Sequence, residues 1–329
     1  MVRPFDLRDL ALVRRLGVHG VSLYTEPALT NSLHPLRGAL LSIVGGDLPT
    51  YVWKEKKTSA AGFVQLYLEE GNNSHAHILC LGATPAQASA DGQVSSVDER
   101  VWLPLLEQAI ADVGQRGIHS LVAEVSETGD ELPILRRAGF AVYTRQDIWV
   151  LEKVSDHQHP ALLSPRHSVD DWEIQLLYTN TVPRLVQLVE PSPPLQSGNG
   201  WVMREDGELT AFVHMCFGAI GTWMRLSIHP RAAERADEIV AAALQVVRTR
   251  EQRPVYCCVR RYQSWLQAPL ERAGYVHWGS QAVMVKHTVK HMQKSLSELS
   301  AVLDTQGIPA SAPIVQQIHR PQLDRTLNH

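Results

Sequence analysis

Apolar positions along the chain follow two rhythms. Trp102, Leu105, Leu106, Ala109, Ile110 and Val113 recur at i, i+3 and i+4, which places them on one stripe of a helix. Ile239, Val240, Ala243, Leu244 and Val247 repeat that stripe further along. Two apolar, strand-like runs precede each helix: 61–68 and 75–81 before the first, 209–217 and 220–229 before the second. Glu205-Asp206-Gly207-Glu208, between Val202 and Leu209, predicts a tight hairpin turn. After each helix comes another apolar strand (118–125 or 254–259), a short helix ending at Gly139 or Gly274, and a β-rich stretch (140–151 or 275–285). Each half therefore reads β–β–β–α–β–α–β behind an N-terminal βα preface, which is a mixed α/β sheet.

The two halves also match residue by residue. Leu135-Arg136-Arg137-Ala138-Gly139-Phe140 returns 135 residues later as Leu270-Glu271-Arg272-Ala273-Gly274-Tyr275. The register continues without a gap from Gln146 to Gln281 and from Val150 to Val285. A shared motif inside a shared order of elements implies duplication. The stretch 154–171, rich in His, Pro, Ser and Asp, has no apolar period and reads as a linker. The domains are then 1–153 and 172–287, followed by a C-terminal segment 288–329. Within that segment Met292, Leu296, Leu299 and Leu303 keep helical spacing, and 305–329 is a tail rich in Pro and Gln.

Length and charge narrow the function. A chain of 329 residues accommodates two domains, and 44% hydrophobic with 20% charged residues fits a folded globular protein. A net charge of −3 is not the footprint of a nucleic-acid binder. There is no signal-peptide pattern at the start and no apolar run near the roughly 20 residues that span a bilayer, so a cytoplasmic protein without membrane partners is expected. Cys80, Cys216, Cys257 and Cys258 form no C-x-x-C pair, and the adjacent two point to opposite faces of a strand. His75 and His77 share a strand face but have no third ligand at a standard spacing. They read as a solvent-facing pair, and no metal site is expected. Dinucleotide, Walker, nucleophile-elbow and zinc-protease motifs are missing.

The order of elements, Ile228-His229-Pro230 leading into a predicted helix over 231–250, and the closing Ala138-Gly139-Phe140 and Ala273-Gly274-Tyr275 resemble the GNAT superfamily of acyl-CoA-dependent N-acyltransferases. The likeness covers about 1–153 and 172–287. It implies two tandem GNAT-like domains, acetyl-CoA as cosubstrate and a small-molecule or peptide amine as acceptor. In that family a helix N-terminus, with its unpaired N–H groups and partial positive charge, grips the coenzyme A pyrophosphate. By resemblance Arg231, Arg235 and Ala236 would hold the pyrophosphate. Leu226 and Ile228 would pair with the thioester arm through their backbone, and Gln263 stands where the family often has an Asn facing the pantetheine.

The sequence also departs from the family. The glycines of the phosphate loop are absent from both halves, and Glu234, Asp237 and Glu238 bring negative charge to the same helix end. Those residues read equally as a solvated first turn. In the first half, Asp91-Gly92 lies in a longer loop, Ser96-x-x-Glu99 reads as a capping box, and Pro104 either kinks the helix or delays its start. The acyl-CoA site is therefore expected in the second half. Leu135 and Leu270 occupy the positions where many family members carry a proton-donating Tyr. Tyr262 is the nearby catalytic candidate, or else a packed residue; His229 is a base or simply the end of a strand. The rival function is a catalytically inactive GNAT-like binding or interaction module.

Overall fold

The computed structural model describes residues 2–32, 34–43, 48–55, 59–69, 73–84, 98–154, 161–193, 195, 199–248 and 253–288. The predicted C-terminal helix and tail lie outside them, as do Asp91, Gly92 and Ser96. The first half runs β1 (Val2–Pro4), α1 (Leu10–Gly17), β2 (Val21–Ser22), α2 (Thr25–Thr30), α3 (Pro35–Ile43), β3 (Thr50–Lys54), β4 (Ala61–Tyr67), β5 (His75–Ala83), α4 (Glu99–Gln115), β6 (Ser120–Ser126), α5 (Glu131–Arg137) and β7 (Ala141–Leu151). The second runs β8 (Ser164–Pro165), α6 (Asp171–Thr181), α7 (Arg184–Gln187), β9 (Asn199–Glu205), β10 (Glu208–Phe217), β11 (Thr222–Ile228), α8 (Ala236–Arg248), β12 (Val255–Arg260), α9 (Gln267–Arg272) and β13 (Val276–His287). Part of the stretch read as linker is thus structured. It holds β8 and a 3-10 turn, Ser168–Asp170, matching β1 and the turn Leu7–Asp9.

All these strands form one sheet in the order β1-β3-β4-β5-β6-β13-β7-β12-β11-β10-β9-β8, with β2 added beside β5. The order reads alike from either end, but the last strand of each half has changed places. β13 lies against β6 of the first half, and β7 lies against β12 of the second. The two exchanged strands pair antiparallel with each other, and Gln146 stands opposite Gln281, its own repeat partner. A local two-fold axis therefore passes between these glutamines. Gln146 is buried, and its Nε2 donates to Gln281 Oε1 at 2.8 Å.

The repeated motif does the same work twice. Gly139 and Gly274 have φ of 85° and 90°, and each ends a helix in the left-handed conformation that glycine adopts without strain. Phe140 N–H donates to Leu135 O and Tyr275 N–H to Leu270 O, both at 3.0 Å. These are the closing bonds of a Schellman cap. Asp206 and Gly207, both at positive φ, make the predicted β9–β10 turn.

Helices α4 and α8 bury their predicted stripes against the sheet. Trp102, Leu105, Leu106, Ala109 and Val113 pack on β4, β5, β6 and β13, while Ile239, Val240, Ala243, Leu244 and Val247 pack on β9 to β12. Two details of the helix starts differ from expectation. Asp98 caps α4 by accepting from Arg100 N–H, and α4 begins at Glu99 and runs through Pro104. The helix predicted from 231 opens instead as a 3-10 segment, Pro230–Arg235, because Pro230 removes a donor and His229 Nδ1 caps Arg231 N–H at 3.2 Å. His229 thus stands at the end of β11 and caps the turn that follows, and α8 proper starts at Ala236.

Exchange of β7 and β13 leaves each half without the strand that covers its β6 or β12 edge. A fragment ending at residue 160 is expected to be aggregated or self-associated when expressed alone, and to regain a folded one-to-one complex when co-expressed with residues 161–329. Size-exclusion chromatography with light scattering checks this. A stable, monomeric 1–160 would contradict the exchange.

Candidate functional site

In each half a parallel strand pair starts together and then parts. In the first half, β5 and β6 pair only from His75↔Ser120 to His77↔Val122. The chain itself fills the opening beyond. Val21 and Ser22 pair with Leu81 and Cys80, Leu23 N–H donates to Leu79 O at 3.2 Å, and Leu23 O accepts from Glu124 N–H at 2.8 Å. Leu23 is fully buried there.

The second half differs. β11 and β12 pair from Thr222↔Val255 to Arg225↔Cys258 and then part. His229 N–H bonds Thr210 O on the β10 side at 2.8 Å. The alternation of an antiparallel ladder then turns the main-chain groups of Leu226 and Ile228 the other way, into the opening. Here Gln263, also buried, donates Nε2 to Leu226 O at 3.3 Å. Three residues singled out in the sequence, Leu226, Ile228 and Gln263, thus meet at one place.

At the helix end the predicted residues are engaged with other parts of the protein. Arg231 Nη1 is paired with Glu208 Oε2 at 2.9 Å, and Arg235 is held by Glu205 and by Glu238, with Nε to Oε2 at 3.0 Å. Ala236 is buried and spends its N–H on Ala233 O. The helix end therefore meets solvent with its arginines matched by carboxylates. Tyr262 packs against Tyr178, Val182 and Val186, and burial pushes its hydroxyl up to about 12. Leu135 and Leu270 are fully buried in the two main cores.

On the sheet face opposite α4 and α8 lies a cleft of about 550 Å³ that both halves line. Its first-half wall comes from β4, β5, β6 and β7 with α2; its second-half wall comes from β10, β11 and β12 with the segment after α7. Helix α2 reaches across to the other half, where Ile220 N–H donates to Thr30 O at 2.9 Å and Leu29 packs beside Trp223. His75 and His77, read from sequence as solvent-facing, lie on this wall instead, with the His77 ring stacked on Tyr24 at 3.9 Å. Burial holds both imidazoles below the ordinary histidine range, and His75 adds to the effect on His77.

The cleft is more charged than a structural interior would be. Glu124, Glu190, Arg225 and Arg260 all line it, each on a side of its strand or segment that alternation turns away from the apolar core. Arg260 Nη2 bonds Glu190 Oε1 at 2.8 Å, and the Tyr143 hydroxyl bonds the same carboxylate. Burial opposes the charge of Glu190, but Arg260 and then Arg225 outweigh it and hold its carboxyl below the usual range. None of these four was singled out by motif. The signal was present all the same: a single charge in each of the apolar runs Leu-Val-Ala-Glu124-Val and Trp-Met-Arg225-Leu.

No protein-family model matches the chain, and no match was found among curated proteins. Solved structures do share its fold. A GCN5-related N-acetyltransferase from Sphaerobacter thermophilus superposes with a TM-score of 0.50 at 12% identity, covering 87% of this chain and 95% of that one. A tandem GNAT protein from the clavulanic acid biosynthesis pathway gives 0.49 at 13% identity, covering 87% and 98%. A functionally unknown conserved protein from Staphylococcus epidermidis gives 0.47 at 13%, covering 69% and 91%. The likeness is one of fold, a mixed α/β sheet.

Because the Glu190 carboxyl is depressed below its ordinary value of 4.5, its stabilising contribution is complete above that pH. It is lost as pH falls through the lower folded value. Glu190→Gln is therefore expected to destabilise the protein at neutral pH by about 3–5 kcal/mol, the usual result of stranding one member of a buried pair. The variant should also lose less stability than the parent on acidification below about pH 4.5. Urea titrations at pH 7 and at pH 4 check both.

Proposed function

We propose that the protein is an acyl-CoA-dependent N-acyltransferase with a single acyl-CoA site, in its second half. The observation that carries this reading is the parting of β11 and β12 after Arg225 and Cys258, with the main-chain groups of Leu226 and Ile228 turned into the opening beside a cleft that can admit an acceptor. A pantetheine arm laid there gains backbone pairing as an added strand would. Gln263 must release Leu226 O or share it with the arm. At the pyrophosphate end, Arg231 and Arg235 would have to exchange Glu208, Glu205 and Glu238 for phosphate oxygens. The first half has no such vacancy, since Val21 to Leu23 already take up its opening.

With acetyl-CoA as donor, a neutral amine attacks the thioester carbonyl. The C–N bond forms, the C–S bond breaks, and the ammonium proton leaves to solvent while the thiolate is protonated. Leu135 and Leu270 cannot supply that proton, whereas Tyr262, protonated at neutral pH, is the hydroxyl next to Gln263 in the chain that could. Much of the rate would come from positioning. A second reading, a binding module without catalysis, is favoured by the carboxylates that already match Arg231 and Arg235.

Calorimetry with acetyl-CoA separates the two readings. On the first, ligand at 100 times its dissociation constant stabilises the protein by about 2.7 kcal/mol. Arg235→Glu weakens binding severely, while Arg100→Glu, on the exposed turn beside Asp98, leaves it unchanged. Absence of acetyl-CoA binding by the parent protein would sink the acyltransferase and leave the module.

A further inference from the structure

Arg225 is an expensive residue to hold in this position. It sits mid-strand on β11, its side chain is 24% exposed, and its nearest carboxylate, Glu26, is 3.8 Å away, too far for a hydrogen bond. Its Nε is fully shielded and has no hydrogen-bond acceptor among the described residues. Its guanidinium lies 5.8 Å from the Trp223 ring. Next to it Arg260, 8% exposed, gives Nη2 to Glu190 and leaves Nη1 buried without a partner. Buried donors of a charged group are normally satisfied, because leaving them unmade forfeits their solvation with nothing in return. Two adjacent strands therefore present unused guanidinium N–H groups beside the cleft.

The surroundings define what would satisfy them. Glu26, Glu124 and Glu190 also line the cleft. Glu124 is buried, bonds Thr25 N–H through Oε2 at 2.8 Å, and has no cation within ion-pair distance among the described residues. A doubly charged phosphate would meet these carboxylates with repulsion. A ligand with one carboxylate and one amine meets both signs of charge, since a planar carboxylate matches the fork of a guanidinium. We infer that the cleft binds a small amine that also carries a carboxylate, an amino-acid-like molecule whose carboxylate is held by Arg225 with help from Arg260. The inference rests on the acyltransferase reading only for calling this ligand the acceptor. Arg225 directly precedes Leu226, so a carboxylate anchored on it brings a nearby amine to the mouth of the β11–β12 opening.

The test needs no acetyl-CoA and so stands or falls apart from the acyl donor. The full-length protein is titrated by calorimetry with the free α-amino acids and with their α-carboxamides. At least one acid is expected to bind and its carboxamide not to. Arg225→Met should weaken that acid roughly 10- to 150-fold, and Arg225→Lys, which keeps charge but not the fork, should fall between. Binding of acids and carboxamides alike, undiminished binding by Arg225→Met, or no binding by any acid would each overturn the proposal.

Discussion

Gln146 and Gln281 hold each other's amides across the line where the two halves meet, and most of the architecture follows from that pairing. Both stand at the same place in their repeats, so one hydrogen bond at 2.8 Å joins a residue to its own duplicate. Thr25 Oγ1 adds a bond to Gln281 Oε1 at 3.0 Å, and Cys258 Sγ donates to Gln146 Oε1 at 3.3 Å. Buried amides are costly unless satisfied, about 1–3 kcal/mol for each group left without a partner. The seam is therefore fixed in register, since a shift of one residue would turn both side chains to the opposite face of the sheet. With the register fixed, β7 and β13 each complete the other half, and the cleft acquires walls from both.

Each half has an opening between parallel strands, and the two openings are filled differently. In the first half, Leu23 bridges β5 and β6 through its own main chain, so the sheet is closed by the protein's backbone. In the second half the Gln263 side chain reaches Leu226 O, and a side chain can swing away where a backbone strand cannot. Both arginines of the cleft come from second-half strands; Glu26 and Glu124 come from the first half, and Glu190, paired with Arg260, from the second.

Much of this was legible in the sequence. The α4 and α8 stripes, the Asp206-Gly207 turn, and the paired caps at Gly139 and Gly274 all depend on local spacing and local conformation, which the residue pattern reports directly. The register that set Gln146 against Gln281 was equally visible as a match. That the two would touch was not, because periodicity says nothing about which strand lies beside which. The same limit hid the burial of His75 and His77, whose cover comes from Tyr24 and from segments distant in sequence. Leu226, Ile228 and Gln263, picked out by resemblance, lie together where β11 and β12 part. The commitment of Arg231 and Arg235 to carboxylates from the β9–β10 hairpin is a long-range contact with no sequence signature.

Strand exchange also sets the order in which this chain can acquire structure as it leaves the ribosome. Ser126 waits for Gln281, so the centre of the sheet cannot close until nearly the whole described chain has been synthesised. β7 emerges early, but its neighbours β12 and β13 are both made after residue 254. Pairings so distant in sequence carry a high entropic barrier and slow the final step of folding. For most of its synthesis the nascent first half displays β6 and β7 as open, apolar edges, a state that favours chaperone binding over premature docking. Final assembly is thereby coupled to the synthesis of β13, and a product truncated before it exposes its β6 edge rather than persisting as a folded half.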